Sequence, residues 1–200
     1  MAADEPAPEA ARRRVALLLE YDGSRFAGSQ LQTEARTVQG VLEEAIEKAT
    51  GERERVAFAG RTDAGVHACG QVAAFSTTSR LDEDTLVRAL NAWLPEDAVV
   101  LEARDVPLTF DPRREAVRRS YRYVIENRPV RPALERDRVW HVPGELDLGC
   151  MQQAASGLVG TRDFAAFASR PEAEGASTVR DLQRFAVTRS GSRIWLDVEA

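Results

Sequence analysis

The sequence is poor in the residues that usually hold metals or build disulfide scaffolds. Its 200 residues include two cysteines, Cys69 and Cys150, and two histidines, His67 and His141. The two cysteines stand far apart, and neither a CxxC nor an HxxxH spacing occurs. That excludes a zinc site of ordinary spacing, and two thiols do not make a disulfide framework. No apolar run reaches the ~18 residues of a membrane-spanning helix. Acids, prolines and alanines fill the first ten residues, with no hydrophobic signal core after them. A disordered tail over residues 1–12 and a cytoplasmic protein are therefore expected. Lysine is almost missing too: Lys48 is the only one, so nearly all positive charge is arginine.

What is present fits a globular chain. Apolar residues make up 44% and charged residues 30%, an ordinary balance for a soluble protein. The length suits one large domain or two small ones. A net charge of −5 argues at first against a nucleic-acid partner, but binding depends on local potential. Between Arg113 and Arg122, five arginines stand against the single Glu115. Such a row is either a solvated strand edge or a phosphate-binding surface, and arginine suits bidentate phosphate contacts.

The hydrophobic pattern predicts an element order. Val15 to Tyr21 is an aliphatic strand ending at the Asp22-Gly23 turn. Thr37 is a helix N-cap, with Val38, Val41, Leu42, Ala45, Ile46 and Ala49 at helical spacing and Gly51 as the stop. Arg55 to Ala59 and Gln71 to Ser76 read as strands. Asp82 caps a second helix carrying Leu86, Leu90 and Trp93, which Pro95 ends, and Ala98 to Ala103 is a further strand. This order is that of a ferredoxin-like split β-α-β domain over residues 13–108. Residues 109–200 begin the same series again: a strand over Arg119 to Glu126, a helix over Asp147 to Val159, and a hairpin from Leu182 to Thr188 and Arg193 to Val198. A second helix and a fourth strand do not follow, and an unfinished sheet would leave an apolar edge. The expected fold class is thus α+β, with two ferredoxin-like halves, antiparallel sheets, and an incomplete second half. The sequence is expected to be part of a longer protein.

Two motifs stand out. Gly60-Arg61-Thr62-Asp63-Ala64-Gly65 lies between two predicted strands. By composition alone, Asp63 is a turn former. The loop is long for a plain turn, however, and puts a cation two residues before the carboxylate. A neighbouring arginine favours the ionised form, and an ionised carboxylate on a rigid strand end is a competent nucleophile. In Arg119-Ser120-Tyr121-Arg122-Tyr123, period-two alternation puts Tyr121, Tyr123 and Ile125 on one face and Arg122 on the other. The tyrosines are either core aromatics or a base-stacking platform beside an arginine row.

The chain resembles the TruA family of tRNA pseudouridine synthases. The resemblance is carried by Glu20-Tyr21-Asp22-Gly23-Ser24-Arg25-Phe26, Thr37-Val38-Gln39, Gly60 through Ala68, Gly70-Gln71-Val72, Leu90 through Pro95, Phe110 through Arg113, and Arg119 through Tyr123. Weaker matches follow at Leu158-Val159-Gly160, Asp163-Phe164 with Phe167, and Thr178-Val179-Arg180. It implies an isomerase acting on uridine in the tRNA anticodon stem-loop, at positions thirty-eight, thirty-nine and forty. The glycosidic bond breaks, the uracil turns, and it rejoins through carbon five. The family's essential aspartate falls on Asp63, which either attacks the anomeric carbon or takes a neighbouring sugar proton. The base-stacking tyrosine falls on Tyr121. Arg61 matches an arginine that pairs with the aspartate and helps displace the target base. The resemblance implies no metal and no cofactor, tRNA as partner, no membrane, and a homodimer with tRNA lying across both subunits.

Three departures from the family pattern stand beside it. Gly28-Ser29-Gln30 replaces the usual Gly-Trp-Gln, and Phe110-Asp111-Pro112-Arg113 replaces a frequent Phe-His-Ala-Arg. Neither is expected to touch Asp63, so each should tune RNA contact at most. Family members also continue past Ala200 with a Met-Val-Arg motif, whose arginine is expected near the aspartate; without it the chain is expected to be inactive or unstable alone. The alternative is a non-catalytic RNA-binding module on ferredoxin-like sheets, which needs exposed aromatics but no carboxylate. Arginine–phosphate contacts would make RNA binding fall steeply with salt in either case.

Overall fold

A computed structural model describes residues 11–167 and 177–200. The tail expected over residues 1–12 lies almost wholly outside them. The chain is mixed α+β and divides into two compact units, with the boundary between Ala116 and Val117.

The first unit opens with β1 (Arg13–Tyr21), whose Val15, Leu17, Leu19 and Tyr21 are buried at every second position. That is the alternation of a strand with one face on a core. A short 3-10 turn, Gly23–Arg25, follows. Helix α1 (Val38–Thr50) starts where the Thr37 side chain accepts the Gly40 N–H, and stops at Gly51, whose φ of 78° suits a residue without a Cβ. Next come β2 (Ala57–Phe58) and β3 (Ala68–Thr77). Helix α2 (Glu83–Trp93) is capped by Asp82, whose carboxylate accepts the Thr85 N–H at 2.8 Å. Asn91 then ties its end to β4 (Ala98–Val106), exchanging two 2.8 Å hydrogen bonds with the Val100 backbone.

The sheet order is β2-β3-β1-β4, antiparallel throughout. Leu42, Ala45 and Ile46 of α1 and Leu86 and Leu90 of α2 join Leu17, Phe75 and Val100 in one core. After β4 the chain returns to the sheet: Arg14 donates to the Phe110 carbonyl at 2.6 Å, and Pro112 is fully buried. Asp111 accepts the N–H groups of Arg113 and Arg114 and caps the turn there. The Asp111-Pro112 pair is therefore a local turn device with a buried ring.

In the second unit, β5 (Ser120–Glu126) is followed by β6 (Trp140–His141), α3 (Leu148–Leu158), β7 (Gly160–Asp163), β8 (Val179–Leu182), β9 (Arg184–Ser190) and β10 (Arg193–Glu199). Its larger sheet has the order β6-β5-β10-β9, antiparallel except for the parallel β5–β6 pair; β7 and β8 form a separate ribbon. The expected hairpin is present, but Leu182 ends β8 rather than opening β9. The core is small: Ile125, Ala155, Val187 and Ile194 are its buried members. Glu126 sits at the edge of this core, bonded to the Ser192 hydroxyl at 2.6 Å and flanked by Arg128 and Arg193. The Ser192 bond, with those two cations, holds its carboxyl below the usual 4.5.

Candidate active site

The loop joining β2 to β3 carries Asp63 at its tip. Its base is closed by the Ala59 N–H donating to the Val72 carbonyl at 2.8 Å, and by the Gln71 amide donating to the Gly60 carbonyl at 2.9 Å. A turn at the tip is closed by the Val66 N–H donating to the Asp63 carbonyl at 3.2 Å. Gly65 stands in that turn at φ 80°. Asp63 itself is exposed.

The segment that follows β1 holds this loop from one side. Thr62, the residue before Asp63, has all three of its polar groups engaged. Its N–H donates to the Ser29 hydroxyl oxygen at 2.8 Å, and its carbonyl accepts the Ser29 N–H at 2.9 Å. Its hydroxyl lies 2.8 Å from the Tyr21 hydroxyl. Further along, the Gly65 N–H donates to the Phe26 carbonyl at 3.2 Å. The backbones approach closely enough to require glycine: a Cβ on Gly23 would lie 2.0 Å from the Val66 carbonyl oxygen. His67 closes the far end. Its Nδ1 accepts the Gly23 N–H at 3.2 Å when unprotonated, and lies 3.1 Å from the Asp22 carboxylate, which it bonds only when it carries a proton.

That segment is itself anchored. The Val38 and Gln39 N–H groups, free donors of the first turn of α1, bond the Gly28 and Ser29 carbonyls. Phe26 is buried, its ring edge-on to Tyr21 and stacked under the Arg36 guanidinium at 4.1 Å. Arg36 forks onto Asp97 at 2.8 and 2.6 Å. Each raises or lowers the other's proton affinity accordingly: the Arg36 bond holds the Asp97 carboxyl below its usual 3.8, and Asp97 raises Arg36. The Asp97 carbonyl also takes the Asp22 N–H at 3.0 Å. The tip is thus a solvent-facing carboxylate on a backbone held from two sides. Such a group can act as nucleophile or base without first being ordered.

Arg61 and Asp63 are both exposed, and among the described residues no hydrogen bond or ion pair joins them. Tyr121 belongs to the second unit, on β5 opposite Val198, and is 44% exposed; Tyr123 is 64% exposed. Arg122 points to the other face, where it forks onto Asp197 at 2.6 and 3.1 Å. Other members of the arginine row also have acidic neighbours: Arg118 lies 3.5 Å from Glu199, and Arg114 lies 3.6 Å from Asp111. Sequence reasoning missed Tyr21, Gly28, Ser29, Arg36 and Asp97 as parts of this site. Ser29 in particular is not a surface position: it is fully buried and bonded to the residue next to Asp63. Among the described residues no group of three or more His, Cys, Asp or Glu could hold a metal ion, and no helix is long and apolar enough to cross a membrane.

Residues 17–113 match a family profile described as tRNA pseudouridine synthase. Proteins named tRNA pseudouridine synthase A are similar over most of the chain. That of Roseiflexus castenholzii is 51% identical over 168 residues, covering 84% of this chain and 62% of the relative. That of a further Roseiflexus is 49% identical over 183 residues, 92% of this chain and 66% of the relative. That of Geotalea daltonii is 41% identical over 186 residues, 93% of this chain and 76% of the relative. The chain therefore spans slightly under two thirds of the two Roseiflexus relatives. It belongs to the TruA family of tRNA pseudouridine synthases.

Proposed function

We propose that the protein isomerises uridine to pseudouridine in the anticodon stem-loop of tRNA, at positions thirty-eight, thirty-nine and forty, with Asp63 as nucleophile. The observation that carries this reading is the placement of Asp63. It is the exposed carboxylate of a loop whose backbone is pinned at Thr62 and Gly65, in the segment that matches the family most specifically. A turn residue with no other role does not need three bonds on the residue before it.

In this reading the target uridine is flipped out of the stem, which costs a few kcal/mol of unstacking. Tyr121 presents an exposed ring to stack on the flipped base, and Arg61, exposed and not bonded to Asp63 in the free protein, pairs with it once RNA is bound and helps displace the base. The carboxylate either attacks the anomeric carbon, breaking its bond to uracil N1, or removes a neighbouring sugar proton as that bond breaks. The uracil turns, and its carbon five bonds the anomeric carbon as the carboxylate leaves or the sugar proton returns. The carbon-five proton is lost, with Tyr121 helping to remove it, while N1 takes up a proton. The reaction neither oxidises nor adds a group, so it calls for no cofactor. Each unit is read as a ferredoxin-like half, the first with the strand order β2-β3-β1-β4 and the second built on the four strands β6-β5-β10-β9. A cytoplasmic homodimer with tRNA across both subunits is proposed with it.

The test is Asp63→Asn in the full-length protein, assayed for pseudouridine formation and for tRNA binding. Loss of turnover with binding kept supports the isomerase. Unchanged turnover in the variant removes Asp63 as the nucleophile, and tRNA binding without turnover by the parent protein leaves the RNA-binding module as the better reading.

A further inference from the structure

We infer that Ser29 is a positioning residue for Asp63, setting the direction of its carboxylate through the backbone of Thr62. The inference rests on reading Asp63 as the nucleophile and concerns what aims it. Ser29 is fully buried and has no exposed atom with which to meet an RNA. Both of its hydrogen bonds toward the loop fall on one residue. Its Oγ accepts the Thr62 N–H at 2.8 Å and its N–H donates to the Thr62 carbonyl at 2.9 Å. The carbonyl belongs to the peptide group that leads into Asp63. Fixing it removes one of the two soft rotations on which the Asp63 Cα–Cβ direction depends.

The other side of Ser29 is fixed as well. Its carbonyl takes the Gln39 N–H at 3.0 Å, and the Gly28 carbonyl takes the Val38 N–H at 3.3 Å. The N-terminus of α1, set in turn by the Thr37 cap, is therefore the rigid body to which the loop is referred. Without the Ser29 hydroxyl, the Thr62 N–H loses its acceptor at a partly buried position. The loop must then shift to find one. A misplacement of about 1 Å at a reacting group can cost about a hundredfold in rate.

Ser29→Ala tests this in the purified full-length protein. The expected result is a kcat about ten- to a hundredfold lower, KM within about twofold, and faster deuterium exchange at the Thr62 amide. Asp82→Ala is the control, because it weakens the same unit through the cap of α2 and leaves the loop untouched. It should keep kcat within about twofold. If Ser29→Ala does not fold, Tyr21→Phe removes the third bond on Thr62 and keeps the buried ring; it should show the same split with a smaller loss of kcat. The inference is overturned if the Ser29 variant (or, in its place, the Tyr21 variant) keeps kcat within about twofold, or if Asp82→Ala loses kcat equally. Asp63→Asn separates the two layers. Full turnover there overturns the nucleophile and the positioning role together, whereas an inactive Asp63→Asn beside a fully active Ser29→Ala overturns the positioning role alone.

Discussion

Gly28 and Thr62 face each other across a gap that admits no side chain. A Cβ on Gly28 would lie 2.8 Å from the Thr62 carbonyl oxygen, and Gly28 adopts φ +103°, a conformation that L residues rarely take. Both facts apply to Gly28→Ala. Strain at such a position costs roughly 1–3 kcal/mol, measurable by urea unfolding. The relief comes by pushing the loop away, so turnover should fall much further than stability alone accounts for. A variant with parent stability and parent turnover would show that the two segments are not held at this distance.

The Arg36–Asp97 fork supports the same loop through Phe26. Asp97 titrates below its usual 3.8, chiefly because Arg36 bonds its charged form. Its contribution to stability is therefore complete above pH 3.8 and is lost as pH falls through the lower folded value, where the unfolded chain binds the proton first. Asp97→Asn should make the acid limb of the stability curve shallower. At neutral pH it should cost about 1 kcal/mol, a modest figure because Arg36 is partly in solvent. An acid limb identical to that of the parent would contradict the assignment.

Core truncations should separate the units. Phe75 and Ile194 are both fully buried, one in each core. Phe75→Ala should cost about 3–5 kcal/mol and Ile194→Ala about 2–5 kcal/mol. The second unit has the smaller core, so Ile194→Ala should be the more damaging of the two relative to the margin available. Trp195, on β10 beside Ile194, reports this by near-ultraviolet circular dichroism. A Trp195 signal retained at 37 °C in Ile194→Ala would contradict it.

Local signals in the sequence were strong where a cap or a period acts within one element. Thr37 and Gly51 bound α1, and Asp82 and Asp147 start α2 and α3, because a carboxylate or hydroxyl accepting a nearby N–H is a short-range device. Strand ends were less legible. Arg55 to Ala59 reads as five strand residues, yet only Ala57 and Phe58 pair with β3, since pairing depends on the partner's register. Neither β6 nor the β7–β8 ribbon was visible in the pattern: β6 is only two residues long, and β8 merges with the apolar run that opens the hairpin. Asp63 was legible as unusual from its spacing, but the role proposed for it rests on the family resemblance. The cradle was not legible at all, because Ser29 and Tyr21 meet Thr62 from 33 and 41 residues away. Ser29 looked like a departure at an RNA-facing position, and nothing in one sequence reveals that it is buried.

The measurement that bears most directly on the account is pseudouridine mapping of tRNA incubated with the full-length protein and with its Asp63→Asn variant, together with the affinity of each for that tRNA. The account expects pseudouridine at positions thirty-eight, thirty-nine and forty with the parent, none with the variant, and affinities within about threefold of each other, since the exchanged group keeps its shape and loses only its charge. Equal pseudouridine formation by both proteins would contradict it.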